Sequence, residues 1–309
     1  MSKETKLKEE VTERPDSIKV DPPSNSSLYH TIKPFSYLTS TTKQSVSKNV
    51  LLILNQKFTI DLNSIWNHCE LVVCADGGAN RLYNYFKDEQ LRSKYIPNYI
   101  VGDFDSISEE VKDYYEKKGT KIIPQRTQYS TDFQKAVKCI QLHYLLKQEN
   151  TNWPYVNDDC GLDEIWEKEY HAKSDIEIRV YVLSAIGGRF DQTVQSINQL
   201  YILHQNEPNL QIFFITESDI IFLLYKGTNY VSYPSRSVFF KPTNAIPTCG
   251  LLPLSDRSIL LSTDGLKYDV KNWISNMTGN VSSSNRVSGE DGFIVICSDP
   301  IVINIEVDL

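Results

Sequence analysis

Aspartates standing at the ends of short apolar runs are the residues of this chain best suited to chemistry. Asp76 follows Leu71-Val72-Val73-Cys74-Ala75, and Asp103 and Asp105 follow Tyr99-Ile100-Val101-Gly102. Asp132 stands in Ser130-Thr131-Asp132-Phe133, and Asp191 in Gly187-Gly188-Arg189-Phe190-Asp191-Gln192. Apolar runs of this length, rich in β-branched residues and ended by Gly or Asp, read as buried strands. Open α/β sheets bind ligands beyond the carboxyl ends of their strands. Five carboxylates gathered there repel one another unless a cation sits among them. The expectation is an oxygen-ligated Mg²⁺ site, and Mg²⁺ commonly arrives with a phosphate substrate.

Each motif also has a plainer reading. Asp103 and Asp105, at i and i+2 of an extended segment, point the same way and can meet one ion. The alternative is a turn in which Asp side chains accept from nearby amides. Asp132 fits a helix cap equally well. Gly77-Gly78 and Gly187-Gly188 each lie between a strand and a helix start, where anions are favoured. Neither is a P-loop or GxGxxG, and a tight turn is the simpler explanation of either pair taken alone. Gln128 and Arg126 are polar neighbours of Asp132 that reach a nucleotide or stay solvated. None of the five histidines has catalytic spacing, and His143 and His204 read as helix-surface residues.

The elements that must position these residues follow from composition and pattern. The 309 residues suffice for one large or two ordinary domains. A 40% apolar and 23% charged composition is that of a soluble globular protein. The net charge of −7 argues against a nucleic-acid binder. No apolar stretch approaches the roughly 20 residues that span a membrane, and the acidic start has no signal-peptide core. The six cysteines form no CxxC pair or zinc spacing, so a reducing, cytoplasmic setting is expected.

Residues 1–48 are polar and aperiodic, and are expected to be a disordered or loosely docked extension. From 49 to about 218, strands at Val50–Leu54, Leu71–Ala75, Tyr99–Gly102, Lys121–Ile123 and Ile178–Leu183 alternate with helical patterns. One helix carries Phe133, Val137, Ile140 and Tyr144 on a face. Residues 147–176 break the rhythm and read as a surface insertion. From 219 to 309 short apolar runs, among them Ile220–Leu224, Val238–Phe240, Ser258–Leu261, Phe293–Cys297 and Val302–Val307, are separated by Gly, Pro, Asn and Ser. The fold class expected is α/β: a mainly parallel, Rossmann-like α/β nucleotide domain followed by an all-β sandwich.

With those motifs assembled, the chain resembles thiamine pyrophosphokinases, specifically the fungal form. The resemblance rests on Ala75-Asp76-Gly77-Gly78-Ala79-Asn80, Gly102-Asp103-Phe104-Asp105-Ser106 and Ser130-Thr131-Asp132-Phe133. It rests equally on Gly187-Gly188-Arg189-Phe190-Asp191-Gln192, Gly265-Leu266-Lys267-Tyr268 and Val281-Ser282-Ser283-Ser284-Asn285. All six occur in family order. The resemblance implies transfer of the pyrophosphoryl group of ATP to the hydroxyl of thiamine, giving thiamine diphosphate and AMP with Mg²⁺. It implies Asp76, Asp103, Asp105 and Asp132 around the metal and polyphosphate. It further implies ATP contacts from Gly77, Gly78, Asn80, Gln128, Arg189, Asp191 and Gln192, and thiamine contacts from Tyr268, Ser282, Ser284 and Asn285. Position 268 is commonly Trp in the family; Tyr keeps a π-face of smaller area. A homodimer with thiamine at the subunit interface is implied as well. Two other readings are a catalytically silent thiamine or thiamine-diphosphate sensor and an ATP-dependent kinase of another small alcohol.

Overall fold

The computed structural model describes residues 8–38, 47–146, 153–169, 176–242 and 244–308. It divides into two compact units, Thr41–Thr216 and a second formed by Met1–Ser40 with Glu217–Leu309.

The Thr41–Thr216 unit is built on parallel strands in the order Leu210–Ile215, Ile178–Leu183, Lys48–Ile53, Leu71–Ala75, Tyr99–Gly102, Lys121–Pro124. The strands Leu71–Ala75 and Ile178–Leu183 are buried at every residue, as strands covered on both faces must be. The chain builds outward from Lys48–Ile53 in both directions: the next strand in sequence lies on one side and Ile178–Leu183 on the other. That reversal is a topological switch point, the place where open α/β sheets form a crevice.

Helix Asp132–Leu145 packs on Leu71–Ala75 and Tyr99–Gly102. Its buried Phe133, Ala136, Val137 and Ile140 follow helical spacing. Thr131 caps it: the Thr131 Oγ1 accepts from Gln134 N, and the Gln134 side chain accepts from Thr131 N at 2.9 Å.

The other unit is β-rich. One set of its strands runs Ser282–Arg286, Thr248–Leu252, Ile301–Glu306, Asp219–Leu224, all antiparallel. The second runs Trp273–Ser275, Ile259–Asp264, Gly292–Cys297, Gly227–Ser232, Tyr29–Ile32.

The expected N-terminal extension, where it is described, is instead paired into this unit, with an exposed strand Glu10–Glu13 and with Val20, Ile32, Phe35 and Tyr37 buried in the core. Glu10–Glu13 pairs antiparallel with Tyr268–Lys271, and Tyr29–Ile32 pairs parallel with Gly227–Ser232. Phe35 and Tyr37 are each 1% exposed, and Phe35 stacks on Phe239 at 3.8 Å between centroids. Short strands paired with residues some 200–260 positions away leave no local periodicity to read. Residues 1–7 and 39–46 lie outside the described residues.

The insertion is more than a surface excursion. Helix Gly161–Glu169 packs on helix Asp132–Leu145, Leu162 is buried, and Leu162 N donates to Gln125 Oε1 at 2.9 Å. Residues 147–152 and 170–175 lie outside the described residues. Val238–Phe240 is not a strand; Arg236–Val238 forms a 3₁₀ turn that Ser235 caps. Nor does His143 stand free on a helix surface. Its Nδ1 lies 2.9 Å from Tyr99 Oη, and burial lowers its pKa, with the Glu70 charge opposing.

Candidate active site

Asp76 occupies the first position past strand Leu71–Ala75, at a φ of +40°. Its carboxylate accepts from Ser106 N at 3.0 Å and Ile107 N at 3.2 Å, which ties one strand end to the loop that follows the next. The residue is 2% exposed. Burial and then the Asp132 charge push its carboxyl up to about 6, with the two amides pulling the other way.

Gly102 decides how close the neighbouring carboxylates come. A Cβ there would meet Asp76 Cβ at 2.6 Å and Asp132 Oδ1 at 3.2 Å. In its absence one carboxylate oxygen from each of Asp76, Asp103 and Asp132 lies within 4.8 Å of the others. Phe104 then takes a φ of +65°, an uncommon conformation for a bulky side chain. This breaks the extended i, i+2 geometry expected of Asp103 and Asp105. Asp103 joins the cluster, while Asp105 is exposed and accepts from Ser106 Oγ at 2.8 Å. Asp105 still lies near enough for its side chain to raise the Asp76 carboxyl.

Because Thr131 takes the capping role, Asp132 at the first helical position keeps its carboxylate free for the cluster. One helical turn on, Lys135 Nζ lies 3.1 Å from Asp132 Oδ1 and 3.7 Å from Asp103 Oδ2, with its side chain 4% exposed. Burial raises the Asp132 pKa above the ordinary carboxylate value, against the pull of Lys135. At Asp103 burial also acts upward, but the hydrogen bonds from Gln128 and the Asp105 amide, with the Lys135 charge, bring the net shift below that value. The internal cation thus serves the Asp103–Asp132 side. Asp76 has only neutral donors, and the oxygen-only donor set around it suits a hard divalent cation.

A cleft of about 600 Å³ opens beside the cluster, lined by Asp103, Gln128, Asp132, Lys135 and Gln192 among others. Gln128 Nε2 donates to Asp103 Oδ2 at 2.9 Å, and the segment before it is anchored by Arg126 N to Asp158 O and Thr127 N to Asp159 O. Gly78, in the first turn of helix Gly78–Tyr85, leaves no room for a Cβ against the carbonyl of Ile53, and Gly77 abuts Asn55. Gly187 and Gly188 have φ of +103° and +62°, and the Gln56 side chain crosses them, donating to Gly187 O. Asn55 and Gln56 follow Lys48–Ile53, and Gly187-Gly188 follow Ile178–Leu183, so these groups meet at the switch point.

Asn80 is engaged elsewhere. Its amide donates to Ser106 O at 2.8 Å and accepts from Ser108 N at 3.1 Å, bracing the loop that holds Asp76. Arg189 and Asp191 form a bidentate pair at 3.1 and 2.5 Å, both well exposed, while Gln192 faces the cleft. Asp191 is therefore not one of the clustered carboxylates.

In the β-rich unit Tyr268 is 44% exposed. The Asn285 side chain accepts from Tyr268 N at 3.0 Å and donates to Tyr268 O at 2.9 Å, so this buried amide clamps the Tyr268 backbone. Ser282 is half-buried and Ser284 exposed, the latter at a φ of +60°.

Sequence reasoning passed over Lys135, Asn55, Gln56 and the polar face of helix Phe190–Asn206 (Gln195, Ser196, Gln199) that lines the cleft. A signal existed for Lys135, which stands at i+3 from Asp132 and between buried Phe133 and Ala136. For Asn55-Gln56 the signal is a polar pair ending the apolar run of the strand at the switch point.

Two family models match the chain: the thiamin pyrophosphokinase catalytic domain over residues 62–213 and the thiamin pyrophosphokinase vitamin B1 binding domain over 237–302. The chain is 42% identical over 276 residues to the thiamine pyrophosphokinase of Saccharomyces cerevisiae, covering 84% of this chain and 85% of that protein. It is 31% identical over 257 residues to thiamine pyrophosphokinase 3 of Oryza sativa, covering 81% and 83%. Among solved structures, the thiamin pyrophosphokinase from Candida albicans superposes with a TM-score of 0.88 at 56% identity, covering 98% of this chain and all of that one.

Proposed function

The chain belongs to the thiamin pyrophosphokinase family and makes thiamine diphosphate by pyrophosphoryl transfer from ATP, and we propose that the Thr41–Thr216 unit binds ATP and the β-rich unit thiamine. The observation that carries this division is the Asp76–Asp103–Asp132 cluster, with Lys135 against it, opening on the cleft.

The thiamine hydroxyl gives up its proton to a base as its oxygen forms a bond to the β-phosphorus of ATP. The bond from that phosphorus to the oxygen bridging it to the α-phosphorus breaks, and AMP leaves with that oxygen. Such a transfer needs little covalent work from the protein; positioning and charge stabilisation dominate. Lys135 supplies a fixed positive charge beside the polyphosphate. Gln128 keeps Asp103 aimed at the cluster. Gln192 faces the nucleotide, and the Arg189–Asp191 pair stands at the start of the helix that carries Gln192. Mg²⁺, the cation this donor set fits, would be held by Asp76, Asp103 and Asp132, with Asp105 beside them, and would neutralise charge on the phosphate oxygens.

Tyr268 offers an exposed ring that can lie against the cationic thiazolium of thiamine. Ser282 and Ser284 supply hydroxyls near it in sequence. Asn285 acts mainly by holding the Tyr268 backbone. The proposal extends to a homodimer in which the thiamine site includes the partner, supported by the exposed Tyr268, Ile274 and Met277 of this unit. A cytoplasmic setting is supported by cysteines that are all unpaired, and no described helix is long and apolar enough to cross a membrane.

Purified protein with ATP, Mg²⁺ and thiamine should release AMP and thiamine diphosphate together, dependent on thiamine. Release of ADP instead would overturn the pyrophosphoryl assignment.

A further inference from the structure

The described N-terminal residues before position 39 lie outside both family-model matches, yet part of this segment straps the loop that presents Tyr268. Strand Glu10–Glu13 runs antiparallel to Tyr268–Lys271, with Thr12 opposite Asp269 and Glu13 opposite Tyr268. Arg14 N then donates to Lys267 O at 2.8 Å. The Arg14 guanidinium donates from Nε to Asp269 Oδ2 at 2.8 Å and from Nη2 to Asp264 Oδ1 at 3.3 Å.

Asp269 is the centre of this loop. It is 4% exposed and accepts from Thr263 Oγ1 at 2.8 Å, Gly265 N at 3.1 Å and Leu266 N at 3.1 Å. Its carboxylate therefore shapes the turn from strand Ile259–Asp264 into Tyr268, and Arg14 is the cation paired with it. Further along, Lys267 Nζ pairs with Asp16 at 2.8 Å and Glu13 at 3.3 Å. Val20 lies where a Cβ on Gly265 would meet its Cγ2 at 2.9 Å. Asn285 grips the Tyr268 backbone from strand Ser282–Arg286, so strap and clamp together hold the tyrosine.

We propose that Arg14 is a positioning residue for the thiamine site, acting through Asp269 to hold the Gly265–Tyr268 loop and so the Tyr268 ring; the inference rests on the reading of Tyr268 as a thiamine contact. Without Arg14, the buried Asp269 carboxylate keeps its neutral donors but loses its counter-charge. The loop then loosens where thiamine binds and not where ATP does.

The test is steady-state AMP release by the full chain. Arg14→Ala should raise KM for thiamine about tenfold, the scale of a lost charge-assisted hydrogen bond, with kcat and KM for ATP within about twofold. Arg14→Lys, which keeps the charge and loses the fork, should recover part of that loss. A general loss of fold would instead move both KM values and kcat and lower the melting temperature. Tyr268→Ala, assayed alongside, separates the two failures. If it leaves KM for thiamine unchanged, the thiamine reading fails and takes this inference with it. If it raises KM and Arg14→Ala does not, the strap inference alone is overturned. Should Arg14→Ala not accumulate, Arg14→Lys with an unchanged KM for thiamine overturns it equally.

Discussion

Lys135 Nζ bridges Asp132 and Asp103, at 3.1 and 3.7 Å, from one turn inside the helix that Asp132 begins. The acidic cluster is therefore not a bare pocket awaiting a metal. It carries one built-in cation on one side and leaves Asp76, held by two backbone amides, on the other.

Replacing Lys135 by Met should lower kcat for AMP release about 10²–10³-fold, the usual loss when one preorganised charge is removed from a transition state. Circular dichroism should stay native, because Met is an unbranched side chain of similar length that can fill the buried space Lys135 occupies. Activity within a few-fold of wild type would show that Lys135 only neutralises its neighbours.

Gly102→Ala tests how tightly the cluster is drawn. The added methyl would press on Asp76 Cβ at 2.6 Å and approach Asp132 Oδ1 at 3.2 Å. Both belong to the proposed metal site, so activity should fall by about tenfold or more, since a shift near 1 Å at a reacting site costs on the order of a hundredfold. Binding of Mg²⁺, followed by calorimetry, should weaken in parallel; an unchanged Mg²⁺ affinity would separate the cluster from the metal.

The raised Asp76 carboxyl has a signed consequence for stability in the absence of divalent cations. Its folded value, about 6, stands above the ordinary 3.8. Between these values the folded state holds more protons than the unfolded state, so stability falls as pH rises. The contribution is fully present below about pH 3.8 and lost as pH passes 6. Asp76→Asn should then be more stable than wild type at pH 7.5 by about 2 kcal/mol in EDTA, and the gap should close by pH 4. Urea unfolding at the two pH values measures it. A gap that widens toward low pH would reverse the assignment.

Phe35→Ala should destabilise the protein by about 3–5 kcal/mol, as for other fully buried aromatics. The residue is 1% exposed and stacks on Phe239. Deleting residues 1–38 should accordingly prevent recovery of soluble protein. Normal thermal unfolding of the Phe35 variant would mean that the N-terminal segment is dispensable.

What was legible, and what was not, follows from the range of the interactions involved. The strands Leu71–Ala75, Tyr99–Gly102 and Ile178–Leu183 are written as continuous apolar runs because a covered parallel sheet buries every residue of them. Asp76, Asp103 and Asp132 stand where those runs stop or a capped helix begins, so local pattern sufficed to nominate them. Their convergence depends on strands brought side by side, and on Gly102 having no side chain to hold them apart. Phe104 turned Asp105 outward through a backbone conformation that its residue type disfavours, so no propensity could announce it.

The sequence by itself determined the α/β class, the order of the motifs and the type of chemistry, because each is carried by residues adjacent in the chain. Only tertiary structure decided that Lys135 serves the carboxylates, that Asn80 braces a loop and that Asn285 clamps Tyr268. It also decided that a polar N-terminal segment is structural: Arg14 meets Asp269 across 255 positions, and a contact that distant leaves no local pattern in either segment.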